Sequence, residues 1–230
     1  MSGRYALFRW PAEFAALPGF PERHPPRWNI SPHQQVLLQR RTAEGERVDS
    51  GRWGLTPPWL TDFSRTPTHA RAESLATQPM FREAFRLRRC LLPANGFYEW
   101  RGTHRKRPFW MLNGEPLAWF AALWEAYPAG DQVWLSVAMV TQAAGPLRRP
   151  ILLDAAGRAL WQDPDSTPEA LQELLAAGGM PLRERVLADI VKPARSGRAG
   201  VPDAVMRGVS SSVALFGKRR RFKTGAGVLQ

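Results

Sequence analysis

The sequence predicts an α+β domain built on a largely antiparallel sheet with peripheral helices. Three observations carry this: aromatic and β-branched segments between residues 90 and 141 broken by Gly, Asn and Pro, two helical patterns after residue 154, and a length of 230 residues. That length supports one sizeable core, and a second full domain would leave both halves small. One domain over residues 1–230 is therefore expected, with residues 218–230 as a basic tail.

Tyr5 to Trp10 reads as a first strand, and the proline-rich stretch from Pro11 to Pro32 as loop with at most one helical turn. Val36 to Gln39 and Arg52 to Leu55 form a hairpin about the polar turn at Glu44-Gly45-Glu46. Thr56-Pro57-Pro58-Trp59 stops regular structure, because consecutive prolines restrict the backbone and remove donors, and so Trp59 falls on a loop. Ser74 to Arg88 carries Met80, Phe81, Ala84, Phe85 and Leu87 near helical spacing and predicts an amphipathic helix with a basic polar face. Strands follow at Cys90 to Leu92, Phe97 to Arg101, Phe109 to Leu112 with Leu117 to Trp124, and Val133 to Thr141. Ile151 to Asp154 reads as a further strand, and Ala155 to Gln162 and Pro168 to Ala177 as helices, the second opened by Ser166-Thr167-Pro168-Glu169. Beyond Gly178-Gly179 the pattern weakens to a linker at Arg195 to Gly200 and a last strand at Ala204 to Val213. No repeat with a period of 20 to 50 residues is evident.

The formal charge is +12 and the isoelectric point about 11.2, a field that favours a polyanionic partner. Of 32 basic residues only Lys106, Lys192, Lys218 and Lys223 are lysine, and the arginine fork suits phosphate contacts and stacking on bases. The single cysteine, Cys90, lies in the apolar run Arg89-Cys90-Leu91-Leu92, which excludes a disulfide framework or zinc cluster. Neither metal nor cofactor is expected. With no long apolar run and no signal-peptide core at Met1-Ser2-Gly3-Arg4-Tyr5, a cytoplasmic, nucleoid-associated protein away from membranes is expected.

Several stretches point further when taken in order. They are Met1-Ser2-Gly3-Arg4-Tyr5, Arg27-Trp28-Asn29-Ile30-Ser31-Pro32, Trp53-Gly54-Leu55-Thr56-Pro57-Pro58-Trp59, Ala70-Arg71-Ala72-Glu73-Ser74, Phe81-Arg82-Glu83-Ala84-Phe85, and the run from Arg89 to Trp100. Together they resemble the SOS-response-associated peptidase (SRAP) family. The match thins past Thr141, where Arg148-Arg149-Pro150-Ile151-Leu152 fits one strand and Val209 to Val213 another.

The resemblance implies a curved, barrel-like sheet and a protein that recognises abasic sites in single-stranded DNA in the DNA damage response. In the family, Met1 is removed and Cys at position 2 presents an α-amine and a thiol. The neutral amine adds to the abasic aldehyde to give an imine. The thiol then closes a thiazolidine ring, leaving a stable DNA-protein crosslink, while a Glu and a His move protons and an Asn holds the lesion.

This chain departs from that pattern. Position 2 is Ser2, a weaker nucleophile and poorer ring-former than a thiol, and the family's Asn and His fall at His69 and Pro146. Only Glu99 is kept. Removal of Met1 is expected because Ser2 is small, and an acylated amine forms no imine. By resemblance the reactive set here is Ser2, Glu99 and His69, with His69 open to three readings: proton carrier, DNA contact or structural residue. Glu99 read without the resemblance is a surface strand residue.

The DNA-binding set is Arg4, Asn29, Pro58, Trp59, Arg71 and Glu73, with the arginines on phosphates and Trp59, backed by Pro58, as a stacking wedge. The expectation is a single-stranded DNA binder with impaired crosslinking and a basic groove converging on the N-terminus. Two rivals stay open: an abasic-site lyase or autopeptidase working through a transient imine at Ser2, and a basic interaction module unrelated to lesions.

Overall fold

A computed structural model describes residues 3–102 and 107–187. Its strands are β1 (Arg4–Leu7), β2 (Arg27–Ile30), β3 (Gln35–Thr42), β4 (Gly45–Trp53), β5 (His69–Arg71), β6 (Arg89–Ala94), β7 (Gly96–Arg101), β8 (Arg107–Leu112), β9 (Ala118–Ala129), β10 (Gln132–Ala144), β11 (Leu147–Pro150) and β12 (Arg183–Val186). The helices are α1 (Ala12–Ala15), α2 (Arg82–Leu87), α3 (Ala155–Gln162) and α4 (Pro168–Ala176).

Five strands close on themselves in the order β10, β4, β3, β6 and β9, with β9 returning to β10. A barrel of this kind leaves no open edge along its wall. Every pairing in it is antiparallel except β10 with β4, joined in parallel at Ser136–Arg52 and Val137–Trp53. β5 takes the next places along β10, also in parallel, from Met139–His69 to Thr141–Arg71. The loop from 54 to 68 therefore leaves the barrel wall and returns to the same strand a few residues further on. A second sheet runs β12, β8, β7, β1, β2.

The alternation of side chains explains the continuous apolar runs. Cys90 and Leu92, Phe120 and Ala122, and Val137 and Met139 enter one core with Tyr5, Trp53 and Phe97. Leu91, Ala121, Leu123, Ala138 and Val140 face the opposite side, where Phe85, Trp161, Leu171 and Leu175 cover them. Both faces of these strands are buried, so the hydrophobic pattern loses its period.

Several arginines serve the fold. Arg89 is buried and donates to the carbonyls of Phe85, Arg86, Trp161 and Asp163, satisfying the C-terminal ends of α2 and α3. Arg40 pairs with Asp49 at 2.6 Å and Arg88 with Glu125 at 2.9 Å. Asp154 caps α3 by accepting from Gly157 N, and Thr167 caps α4 from Ala170 N with Pro168 in the first turn.

The long helix expected over Ser74 to Arg88 is absent. A 3-10 turn at Ala72–Ser74, a break through Pro79, and the short α2 replace it, since Pro79 offers no donor and disfavours helix at Gln78. The strand expected at Ile151 to Asp154 is only a bridge between Leu152 and Phe120, the regular pairing lying earlier, at β11. The proline-rich segment holds α1 as its one helical turn and also β2, which pairs with β1. β12 pairs with β8 where the sequence pattern had faded. The expected linker at Arg195 to Gly200, the strand at Ala204 to Val213 and the tail at 218–230 lie outside the described residues, as do Met1 and Ser2. Among the described residues no helix is long and apolar enough to cross a membrane.

Candidate functional site

The site begins at β1, which is held between β7 and the edge strand β2 of its sheet. Arg4 stands opposite Tyr98 and Tyr5 opposite Phe97, so the same register continued by one residue leads from Gly3 to Glu99. No atom would meet a Cβ at Gly3 within 4 Å, so the space beside the start of the chain is open. Arg4 donates to Asn29 Oδ1 at 3.2 Å from the neighbouring strand, and its guanidinium lies 5.8 Å from the Trp100 ring. Asn95 anchors the other end of β1, accepting from Phe8 N and Arg9 N and donating to the Arg9 and Pro116 carbonyls.

Glu99 is only 3% exposed and is gripped by two guanidiniums. Arg149 donates to it through Nε at 2.9 Å and Nη2 at 3.0 Å, and Arg101 donates through Nε at 2.7 Å. Arg101 also reaches Glu184 at 2.8 Å. Burial pushes the Glu99 carboxyl up, but the hydrogen bonds and charges of Arg149 and Arg101 outweigh it and hold the group below the usual range. An acid so held is a poor proton donor at neutral pH. Arg149 belongs to β11, and this grip ties the barrel to the second sheet.

His69 and Arg71 are carried by β5. His69 Nδ1 lies 2.9 Å from the Thr68 hydroxyl, and its ring meets Trp53 edge-on at 5.5 Å, while Trp53 in turn packs on Tyr5 at 5.4 Å. The Trp53 indole thus links His69 to the strand that bears Arg4. Arg71 is exposed. Glu73 is bonded to Arg148 at 2.7 Å and accepts from Ala143 N at 3.3 Å, and the Arg148 bond, aided by its charge, lowers the Glu73 carboxyl against burial. Arg148 also donates to the Thr141 carbonyl. Pro146 sits in the two-residue turn between β10 and β11 beside Gly145, whose φ of 59° suits that tight reversal.

Pro58 and Trp59 are both exposed, Trp59 by 57%, on the 54–68 loop. Ser2 lies outside the described residues. The structure thus gathers Arg4, Asn29 and Glu99 about the first strand, and connects His69 to them through Trp53.

Sequence reasoning missed the partners of Glu99. Arg101 was open to inference, since residues i and i+2 of a strand share a face, as the 2.7 Å contact shows. Arg149 carried no such signal, because only the pairing of β11 with β10 brings it 50 positions back to Glu99.

A family model described as SOS response associated peptidase (SRAP) matches residues 1–188. The abasic site processing protein YoqW of Bacillus subtilis is 31% identical over 196 residues, covering 76% of this chain and 86% of that protein. YedK of Escherichia coli, named likewise, is 26% identical over 167 residues, covering 69% of this chain and 74% of its own. In fold, a phage-related protein of Bordetella bronchiseptica superposes with a TM-score of 0.67 at 23% identity, over 87% of this chain and all of that one. A protein of Bacteroides thetaiotaomicron gives 0.62 at 19% identity, over 70% and 78%. The family match runs through the first strand, the Glu99 strand and β11 alike, and the chain belongs to the SOS response associated peptidase family.

Proposed function

We propose that this protein binds unpaired DNA bearing an abasic site across its N-terminal strand, with covalent capture of the lesion impaired. The observation that carries the reading is the double grip of Arg149 and Arg101 on Glu99, 2.9 and 2.7 Å away, beside the start of β1. Glu99 is the one residue kept of those to which the resemblance assigns chemistry, and here it is a fixed carboxylate. Ser2 supplies no thiol for ring closure and Pro146 no proton.

Binding has separate support. The relatives YoqW and YedK are named for abasic-site processing. Arg4, Asn29 and Arg71 offer a cationic and amide surface, and the exposed Trp59 on a proline-backed loop offers a stacking face. In this reading Glu73 acts by holding Arg148 in place, since a carboxylate repels phosphate.

The test is a denaturing gel of Met1-processed protein incubated with a single-stranded oligonucleotide carrying one abasic site, with and without borohydride. The reading expects binding by anisotropy and little or no crosslink without reductant. A stable crosslink in untreated samples overturns the impairment. A crosslink seen only with borohydride shows a transient imine, on which the lyase reading depends, and loss of binding removes the reading altogether.

A further inference from the structure

We propose that the cavity at the seam of β4 and β10 is a second nucleotide subsite, where one base of an unpaired strand stacks among Phe63, Tyr127 and Trp134 while its phosphate meets Arg52. The cavity has a volume of about 370 Å³ and is lined by the polar groups of Gln35, Ser50 and Arg52 as well as by the three aromatic rings. This inference rests on the reading that the protein holds unpaired DNA.

The apolar side is built from rings that the fold leaves uncovered. Six large apolar side chains are exposed among the described residues, and Phe63, Val133 and Trp134, each at least 51% exposed, line this one cavity. Phe63 meets Tyr127 edge-on at 5.3 Å, and Tyr127 stands directly across the β9–β10 ladder from Trp134. An edge-on pair with an uncovered indole beside it leaves ring faces for a flat π-system, and every base has one.

The polar side is shaped around Arg52. Its Nη1 donates to the Thr66 hydroxyl at 3.2 Å and its Nη2 lies 3.1 Å from His33 Nδ1. Burial and then the neighbouring Arg52 charge both lower the His33 imidazole, so near neutral pH it is uncharged and Arg52 is the cation. His33 adopts φ 69°, a left-handed conformation rare outside glycine, and is fixed there by its N–H bond to the Trp53 carbonyl at 2.7 Å. At Gly54 a Cβ would lie 3.1 Å from both Arg52 Nη1 and His33 Nδ1, so a side chain there would press on the pair.

Charge selects the occupant. Among the described residues no carboxylate lines the cavity, and Asp62, beside Phe63 in the sequence, is engaged by Ser64 and Arg65. One fixed guanidinium, neutral hydroxyl and amide groups, and three rings match a nucleotide better than an apolar peptide.

Position fits the same strand as the first site. From Trp134 to Gln142, which pairs with Arg149, is eight residues of β10, roughly 25 Å at the usual strand rise. That span holds on the order of seven stacked nucleotides, inside the roughly 4–16 nucleotide footprints of single-strand binders. The loop bearing Trp59 leaves β4 beside the cavity and rejoins β10 through β5, between the two ends.

The experiment uses the full chain and a thymidine oligonucleotide of about 12 nucleotides, carrying 5-iodouracil at successive positions. Anisotropy measures affinity, photocrosslinking with peptide mapping locates contacts, and sedimentation gives the oligomeric state. Trp134→Ala and Phe63→Ala remove exposed rings, and circular dichroism verifies their fold. The expected result is a crosslink to Phe63, Tyr127 or Trp134 and affinity lowered by about fivefold or more in each variant. If the wild type binds but crosslinks elsewhere and both variants bind normally, the subsite is overturned while the proposed function stands. If the wild type fails to bind, both fall. A wild-type dimer that Trp134→Ala converts to monomer overturns the subsite and makes this face a self-association surface.

Discussion

Arg149 reaches from β11 to Glu99 on β7 and donates two hydrogen bonds, at 2.9 and 3.0 Å, to a carboxylate that is 3% exposed. The pair joins the barrel to the second sheet and fixes the charge of a group beside the start of the chain. Stability and charge state are coupled there.

Replacing Arg149 with Leu leaves Glu99 buried with Arg101 alone. Burial then weighs more heavily, and the carboxyl rises from its lowered position. The expected loss of stability is about 2–4 kcal/mol, short of a fully orphaned buried charge because Arg101 remains. Urea denaturation measures the loss, and carboxyl-carbon NMR of Glu99 measures the titration. An unmoved midpoint would show that Arg149 contributes nothing to the ionised form.

Acid sensitivity follows from the sign of the shift. Glu99 is lowered in the folded state, so its contribution is present above the unfolded value of about 4.3 and is lost as pH falls through the lower folded value. Glu125 works in the opposite sense, because burial raises it against the Arg88 bond, and its contribution weakens as pH rises. Glu99→Gln is expected to flatten the decline in urea midpoint below about pH 4. A decline as steep as in the wild type would assign acid sensitivity to other carboxylates.

Under the proposed function, Ser2→Cys yields only partial crosslinking to abasic DNA, because Pro146 still moves no proton. Ser2→Cys with Pro146→His yields more, and adding Arg149→Leu, which leaves Glu99 held by Arg101 alone, yields more again. Band intensity on a denaturing gel ranks the three. Full recovery by Ser2→Cys alone would make position 146 dispensable.

Trp59→Ala removes a ring 57% exposed, so stability is expected to stay within about 0.5 kcal/mol of wild type. Under the proposed function, affinity for single-stranded DNA is expected to fall by about 1–3 kcal/mol through lost stacking. Arg71→Ala acts by charge, weakening binding uniformly and reducing the slope of log affinity against log salt by roughly one. A salt titration by anisotropy separates the two, and equal salt slopes for Arg71→Ala and wild type would remove Arg71 from the DNA surface.

Local chemistry by itself determined the helix from Ala155, the helix start at Thr167, the β3–β4 hairpin, the loop that exposes Trp59 and the antiparallel strands from Cys90 onward. Caps, turns and prolines act within a few residues, so a reader of the chain sees them whole. Residue order likewise indicated the family and drew attention to Glu99. Only the tertiary structure decided what Glu99 is, because its partner Arg149 arrives from 50 positions away through the pairing of β11 with β10. It alone decided that Arg89 caps helices instead of facing a phosphate, and that Phe63, Tyr127 and Trp134 share one cavity. Charge and aromatic content are properties of a list, whereas an ion pair or a stacking face exists only once closure of the barrel sets distances between distant residues.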